Sequence, residues 1–191
     1  MVTSRHTGTL LLALGANLRG RWGLPHETLT RACRELQASG LKIAHSSLLY
    51  RTSAVGSGRQ PSYLNAVVAA TGSIAPGGLL RLAKRIERQA GRKATPPMRP
   101  RPLDIDILDF GGRRLNWPCT RRERGRLVLP HPLLHRRAFV LVPLMDVAPR
   151  WRHPVLGFRP TTMLVRLGPG AARGVRPVLD FRLSTCEKAP R

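Results

Sequence analysis

Cysteine is scarce and scattered: Cys33, Cys119 and Cys186 make an odd total with no Cys-x-x-Cys pair. That argues against a disulfide framework and a zinc ribbon, and it fits a reducing compartment, so the expected localisation is cytoplasmic. Long apolar runs are missing too. None exceeds Leu10–Leu14, far short of the roughly 20 residues of a membrane span and of the about 7–15 apolar residues of a signal peptide; no membrane partner is expected. The chain lacks a Walker A sequence, a Gly-x-Gly-x-x-Gly fingerprint and a Gly-x-Ser-x-Gly elbow, which removes the P-loop, Rossmann and α/β-hydrolase readings. Acidic residues are few, 10 in 191.

Basic residues are not. There are 33 Lys+Arg and a formal net charge of +23, and all but Lys42, Lys84, Lys93 and Lys188 are arginines. Such a surface attracts polyanions, nucleotides among them. The positives are spread along the chain, however, and even Arg121, Arg122, Arg124 and Arg126 do not form an unbroken block. An arginine bias of this kind reflects genome composition as readily as a binding surface, and nucleic acid is not the expected partner. Length and the 42% hydrophobic content fit one folded, monomeric domain over 1–157, followed by a basic Pro/Gly/Arg-rich extension over 158–191.

The pattern of residues predicts a buried strand at 9–14, a helix from Pro25 to Leu36 closed by Gly40, and one strand over 42–50. A strand at 63–71 and a helix over 77–89, capped by Gly91, follow. Then come a short strand at 103–110, an apolar helix at 138–147 and a strand-like patch at 175–183. Strands and helices alternate without a regular βαβ series. The expected fold class is α+β, a ferredoxin-like α/β sandwich with a mostly antiparallel sheet and helices packed on its faces.

Leu103-Asp104-Ile105-Asp106-Ile107 is the sharpest local feature. Strand alternation puts the aliphatic side chains on one face and both carboxylates on the other. Two carboxylates so placed are within reach of a shared pair of Mg²⁺ ions, which take oxygen ligands and keep water and phosphate in their shell. A solvated strand face whose aspartates pair with arginine is the competing explanation. Arg92 and Arg101 flank the loop that leads into this strand, as a triphosphate site requires. Pro130-His131-Pro132 fixes an imidazole that could meet a phosphate oxygen, or simply a turn. Tyr63 and Asn65 share a strand face and could receive a flat heterocycle, or be half-buried strand residues.

Several motifs taken together carry a resemblance. They are Leu-Ala-Leu-Gly-Ala-Asn-Leu at 12–18, Ser-Ser-Leu-Leu-Tyr-Arg-Thr at 46–52 and Gln-Pro-Ser-Tyr-Leu-Asn-Ala-Val-Val at 60–68. Arg-Ile-Glu-Arg-Gln-Ala-Gly-Arg at 85–92, Arg-Pro-Leu-Asp-Ile-Asp-Ile-Leu at 101–108, Leu-Pro-His-Pro at 129–132 and Arg-Ala-Phe-Val-Leu-Val-Pro-Leu at 137–144 complete the set. In this order and spacing the chain resembles the 6-hydroxymethyl-7,8-dihydropterin pyrophosphokinase family. The resemblance implies a transferase of folate biosynthesis that moves pyrophosphate from ATP to the pterin hydroxymethyl and releases AMP. It implies Asp104 and Asp106 as ligands of two Mg²⁺ ions and, with Arg92 and Arg101, as the catalytic group. Leu80, Lys84, Glu87, Arg92, Arg101, Ile107, Arg126, His131 and Arg137 match ATP-binding positions. Thr52, Ser53, Ala54, Val55, Tyr63, Asn65 and Phe139 match the pterin pocket, with loops 53–62 and 92–102 closing over the substrates.

The chain departs from the family pattern at Ala16 (a serine elsewhere), Lys84 (glutamine), Met98 (tryptophan), Pro102 (threonine) and Pro132 (tyrosine). Those changes keep open a degenerate paralogue that binds nucleotide without transferring it, and the net charge alone keeps open a basic nucleic-acid-binding protein on the same scaffold.

Overall fold

The computed structural model of the chain describes residues 8–53, 60–93, 99–118 and 126–183. Its centre is β1 (Leu10–Ala16), whose leucines are buried on both faces. On one side β1 pairs with β5 (Asp104–Phe110). On the other it pairs with β4 (Tyr63–Thr71), which continues to β3 (Leu48–Thr52) and β6 (Arg176–Arg182). β2 (Lys42–Ser46) pairs with the distal half of β4, and every pairing is antiparallel.

The single strand expected over 42–50 is therefore two. They divide at Ser47, whose hydroxyl accepts from Val67 N (3.0 Å) and donates to Leu48 O (2.7 Å), while its own N–H donates to Val67 O (2.9 Å). A side chain that bonds the neighbouring backbone competes with the ladder, and the strand breaks there.

The first helix, α1 (Pro25–Ala38), opens where proline at its first position loses no hydrogen bond. The Glu27 carboxylate accepts from Leu24 N at 2.6 Å and closes that end. Gly40, at φ 90°, terminates it in a conformation that other residues resist. The second, α2 (Pro76–Gln89), also opens on proline, without a carboxylate cap, and ends at a left-handed glycine, Gly91 at φ 99°. Leu29, Ala32, Leu36, Leu79, Ala83 and Ile86 from these two helices pack on Leu10, Leu12, Leu14, Ile105, Ile107 and Phe110 of the sheet.

Two further helices cover the opposite face. Val140, Leu141 and Leu144 of α3 (Ala138–Val147) and Met163 of α4 (Pro160–Arg166) pack on Leu11, Val67, Ala69 and Leu108. Each fully buried leucine here contributes roughly 1.5–3 kcal/mol. Sequence periodicity did not mark α4, whereas the patch at 175–183 becomes the edge strand β6. Tyr50 Oη donates to Asp146 at 2.8 Å and ties β3 to the end of α3. Cys33 is buried, and burial pushes its thiol up to about 12, so it stays protonated. Among the described residues no helix is long and apolar enough to cross a membrane.

Candidate active site

Register builds the site. Gly15 of β1 lies opposite Asp104 of β5 and opposite Asn65 of β4, and Ala13 lies opposite Asp106 and Val67. Asn65 in turn faces Tyr50, and Tyr63 faces Thr52. Residues directly opposite in an antiparallel pair share a face, so one end of the α3 side of the sheet carries carboxylates on β5, small residues on β1 and polar groups on β4 and β3. The small residues leave a hollow. A Cβ built on Gly15 would stand 3.1 Å from Asn65 Oδ1, so glycine there lets the amide sit close over β1. The result is a cavity of about 810 Å³, within the usual range for small-ligand sites.

At the β5 end, Arg92 donates to Asp104 Oδ1 (2.5 Å) and Arg101 to Asp104 Oδ2 (3.1 Å). Arg92 also meets Glu87 Oε1 at 2.7 Å. Burial opposes ionisation of Asp104, but Arg92 and Arg101 outweigh it and hold the carboxyl below its ordinary range. Glu87 of α2 is buried, and its carboxylate accepts from Ile105 N (2.9 Å) and Lys84 Nζ (2.9 Å). It thereby clamps the start of β5 to α2. Burial is the largest influence on Glu87 and raises its pKa despite these donors.

Asp106 accepts from Arg137 at 3.2 Å, and the guanidinium of Arg137 also lies 5.6 Å from the centre of the Phe139 ring. His131 Nε2 is 3.7 Å from Asp106 Oδ2. Leu133 N donates to His131 Nδ1 (3.2 Å), so in the neutral ring the proton resides on Nε2 and points a donor into the cavity. Burial lowers the His131 pKa, outweighing the pull of Asp106, and keeps the imidazole neutral at pH 7.

The strand residues at the β4 end carry no charge of their own, although the Arg101 guanidinium lies close to Tyr63. Asn65 Nδ2 donates to Thr52 Oγ1 (2.8 Å), and Tyr63 Oη donates to Arg99 O (3.4 Å). Phe139, in the first turn of α3, faces them across the cavity. A ring-shaped slot with one amide edge thus sits beside a cluster of carboxylates and guanidinium groups.

Of the residues singled out from sequence, Thr52, Ser53, Tyr63, Asn65, Lys84, Arg92, Arg101, Asp104, Asp106, His131, Arg137 and Phe139 all line this one cavity. Glu87 lies immediately behind it. Ile107 is buried in the core beneath the sheet, Leu80 is partly buried against that core, and Arg126 is exposed; none of the three is part of the cavity wall. Ala54, Val55 and Met98, with much of the two loops, lie outside the described residues.

Sequence reasoning assigned no role to Asn17. It is buried at the end of β1, where Oδ1 accepts from Arg101 N (2.8 Å), Nδ2 donates to Pro61 O (3.2 Å), and its N–H donates to Arg101 O (3.2 Å). It joins the segments that enter β4 and β5. The turn-forming Gly-Ala-Asn that ends β1 was the available signal. Arg136, Ala171, Gly174 and Val175 also line the cavity without having been marked.

As for magnesium, the donor set fits. Asp104 and Asp106 are adjacent, partly exposed and all-oxygen. Among the described residues no cluster of three or more His, Cys, Asp or Glu side chains forms a closed metal cage. Two carboxylates with room for water and phosphate oxygens are the arrangement Mg²⁺ favours.

The family model described as 7,8-dihydro-6-hydroxymethylpterin-pyrophosphokinase (HPPK) matches residues 11–149. The chain belongs to that family. It is 33% identical over 172 residues to the 2-amino-4-hydroxy-6-hydroxymethyldihydropteridine pyrophosphokinase of Synechocystis, covering 90% of this chain and 82% of that protein. It is 37% identical over 138 residues to the mitochondrial folate synthesis bifunctional protein of Arabidopsis thaliana, covering 72% of this chain but only 23% of that larger one. Among solved structures it resembles Plasmodium falciparum wild-type HPPK-DHPS, with a TM-score of 0.60 and 16% identity, over 87% of this chain and 46% of that one. At that identity the likeness establishes the fold alone.

Proposed function

We propose that this member of the pyrophosphokinase family transfers the terminal pyrophosphoryl group of ATP to the hydroxymethyl oxygen of 6-hydroxymethyl-7,8-dihydropterin and releases AMP, a step of folate biosynthesis. The observation that supports it is the adjacency in one cavity of two unlike halves: the carboxylate and arginine cluster on β5, and the neutral slot of Asn65, Tyr63, Thr52 and Phe139.

In this reading the pterin ring stacks on Phe139, and Asn65, held by Thr52, reads its polar edge. The triphosphate lies toward β5. Asp104 and Asp106 would hold Mg²⁺, which when bound neutralises phosphate charge. No protein nucleophile is needed, because the substrate hydroxyl attacks the β-phosphorus and AMP departs. The chain contributes position and charge. Arg92, Arg101 and Arg137, now on the aspartates, are fork-shaped donors that can turn to phosphate oxygens once ATP and metal satisfy those carboxylates. His131, neutral and protonated on Nε2, donates to a phosphate oxygen without adding a charge. Glu87 and Lys84 border the nucleotide side.

The test is AMP formation from Mg-ATP with and without the pterin, for the wild type beside Asp106→Ala. Pterin-dependent AMP that disappears in a folded Asp106→Ala supports the reading. ATP binding without AMP release would establish the degenerate paralogue, and no binding of either substrate would overturn both. The nucleic-acid reading rests on net charge alone, spread along the sequence.

A further inference from the structure

Three residues of the cavity wall, Ala171, Gly174 and Val175, lie beyond the stretch that the family model matches. Sheet order explains how they get there. β6 pairs with β3, with Arg176 opposite Arg51 and Pro177 opposite Tyr50, so the chain entering β6 arrives beside Thr52 and Ser53. This is the end of the cavity farthest from Asp104 on β5.

The approach is fixed by consecutive tight turns: Ala171 N donates to Gly168 O (3.3 Å), Arg173 N to Gly170 O (2.9 Å) and Val175 N to Ala172 O (2.9 Å). Gly168 and Gly170, at φ 96° and 88°, supply the left-handed backbone these turns require. What faces the cavity is small and uncharged, in a segment that carries Arg173 and Arg176 close by.

We infer that residues 171–175 form the outer wall of the pterin half of the cavity and limit the size of the ring it admits. This rests on the proposed placement of the pterin between Phe139, Tyr63 and Asn65. A hydrocarbon wall excludes water from the ring edge that Asn65 does not read, and its bulk sets what fits, since pocket shape discriminates between close analogues.

Gly174 provides the handle. Its backbone is outside the left-handed region and a Cβ there meets nothing within 4 Å, so the fold accepts a larger side chain; because Gly174 lines the cavity, that side chain is expected to narrow the slot. The experiment compares wild type, Gly174→Ala, Gly174→Leu and Asn65→Ala by thermal melting, equilibrium titration with 6-hydroxymethyl-7,8-dihydropterin in the presence of a non-hydrolysable ATP analogue, and steady-state AMP release. Gly174→Leu is expected to melt with the wild type, weaken pterin binding and raise its KM about tenfold, and leave the KM for ATP within about twofold. Gly174→Ala should fall between.

Unchanged pterin affinity in Gly174→Leu, or in Gly174→Ala should the leucine variant fail to fold, overturns the wall, as does a rise confined to the KM for ATP. If Asn65→Ala loses pterin affinity while the Gly174 variants do not, the wall alone falls. If Asn65→Ala binds pterin normally, the placement of the pterin falls with it.

Discussion

The two faces of β5 are made by alternate residues of one heptapeptide, yet they serve opposite ends. Ile105 and Ile107, with Leu103 just before the strand, are buried against α1 and α2, where the criterion is volume. Asp104 and Asp106 face α3 and keep more than a quarter of their side-chain surface exposed, held open by Gly15 and Ala13 on the neighbouring strand. The same contrast runs through the sheet. The α1/α2 face is closed by leucines from end to end, whereas the α3/α4 face is closed by Leu11, Val67, Leu108 and Leu141 over half its length and left hollow over the rest. Stability and chemistry are therefore carried by adjacent residues but on separate surfaces, and substitutions should separate them.

The sharpest test is on adjacent residues. Asp104→Asn keeps the shape of the side chain and removes the charge that Arg92 and Arg101 now clasp and that magnesium would need. Pterin-dependent AMP release should fall by about a thousandfold or more, with little change in the urea midpoint, because the pairs lost are partly solvated. Ile105→Ala should do the reverse. Removing a buried aliphatic side chain costs about 2–5 kcal/mol, visible as a lower midpoint, while the folded fraction turns over at nearly the wild-type rate. Loss of activity without loss of stability in Ile105→Ala would mean that the two faces are coupled through β5.

How much of this division was legible beforehand depends on the range of the interactions involved. Alternation in Leu103–Ile107 is a local property and showed both the strand and its two faces. Terminal prolines and glycines marked α1 and α2 for the same reason. Ser47 escaped notice because its effect depends on Val67, a partner that only the folded sheet supplies. The role of Asn17 depends on Pro61 and Arg101, and α4 is too short to show a period although Met163 is buried against α3. At the site, charge pairs and their partners lie within motifs that could be read directly. Which residues wall the cavity is decided by sheet order, and Leu80 and Ile107 show that a matching motif position does not by itself put a side chain in the wall.

Beyond the closed half of the α3/α4 face lies a group whose effect depends on pH. His153 is 1% exposed, with Trp117 and Trp151 ring centroids at 5.4 and 5.8 Å. Its Nδ1 accepts from Leu156 N at 3.1 Å, and its Nε2 has no hydrogen-bond partner among the described residues. Burial, with His135 and Arg114 nearby, pushes its pKa down to about 4 from an ordinary 6.5. Because the folded pKa is the lower one, the unfolded chain binds the extra proton between these values. Stability should then be undiminished above about pH 6.5 and decline toward pH 4, by up to about 3 kcal/mol. His153→Phe should flatten that decline when denaturation midpoints at pH 7 and pH 4.5 are compared, without altering pterin-dependent AMP release at pH 7. An unchanged slope would assign the acid sensitivity elsewhere.

The smallest expected effect bears most finely on the boundary between the two surfaces. Gly15 sits on β1 between Asp104 and Asn65, and its backbone does not need glycine, since its φ lies outside the left-handed range. Only space requires it: a methyl group there would meet Asn65 Oδ1 at 3.1 Å, closer than ordinary contact. Gly15→Ala should fold, because alanine suits a strand better than glycine does. Its methyl group should push the Asn65 amide by a few tenths of an ångström, disturb the 2.8 Å bond to Thr52 and weaken pterin binding several-fold. ATP affinity, which the proposed placement of the triphosphate assigns to the β5 end, should stay nearly constant. Equal losses for both substrates would show that the methyl group also displaces Asp104, and that the hollow over β1 is one site rather than two adjoining halves.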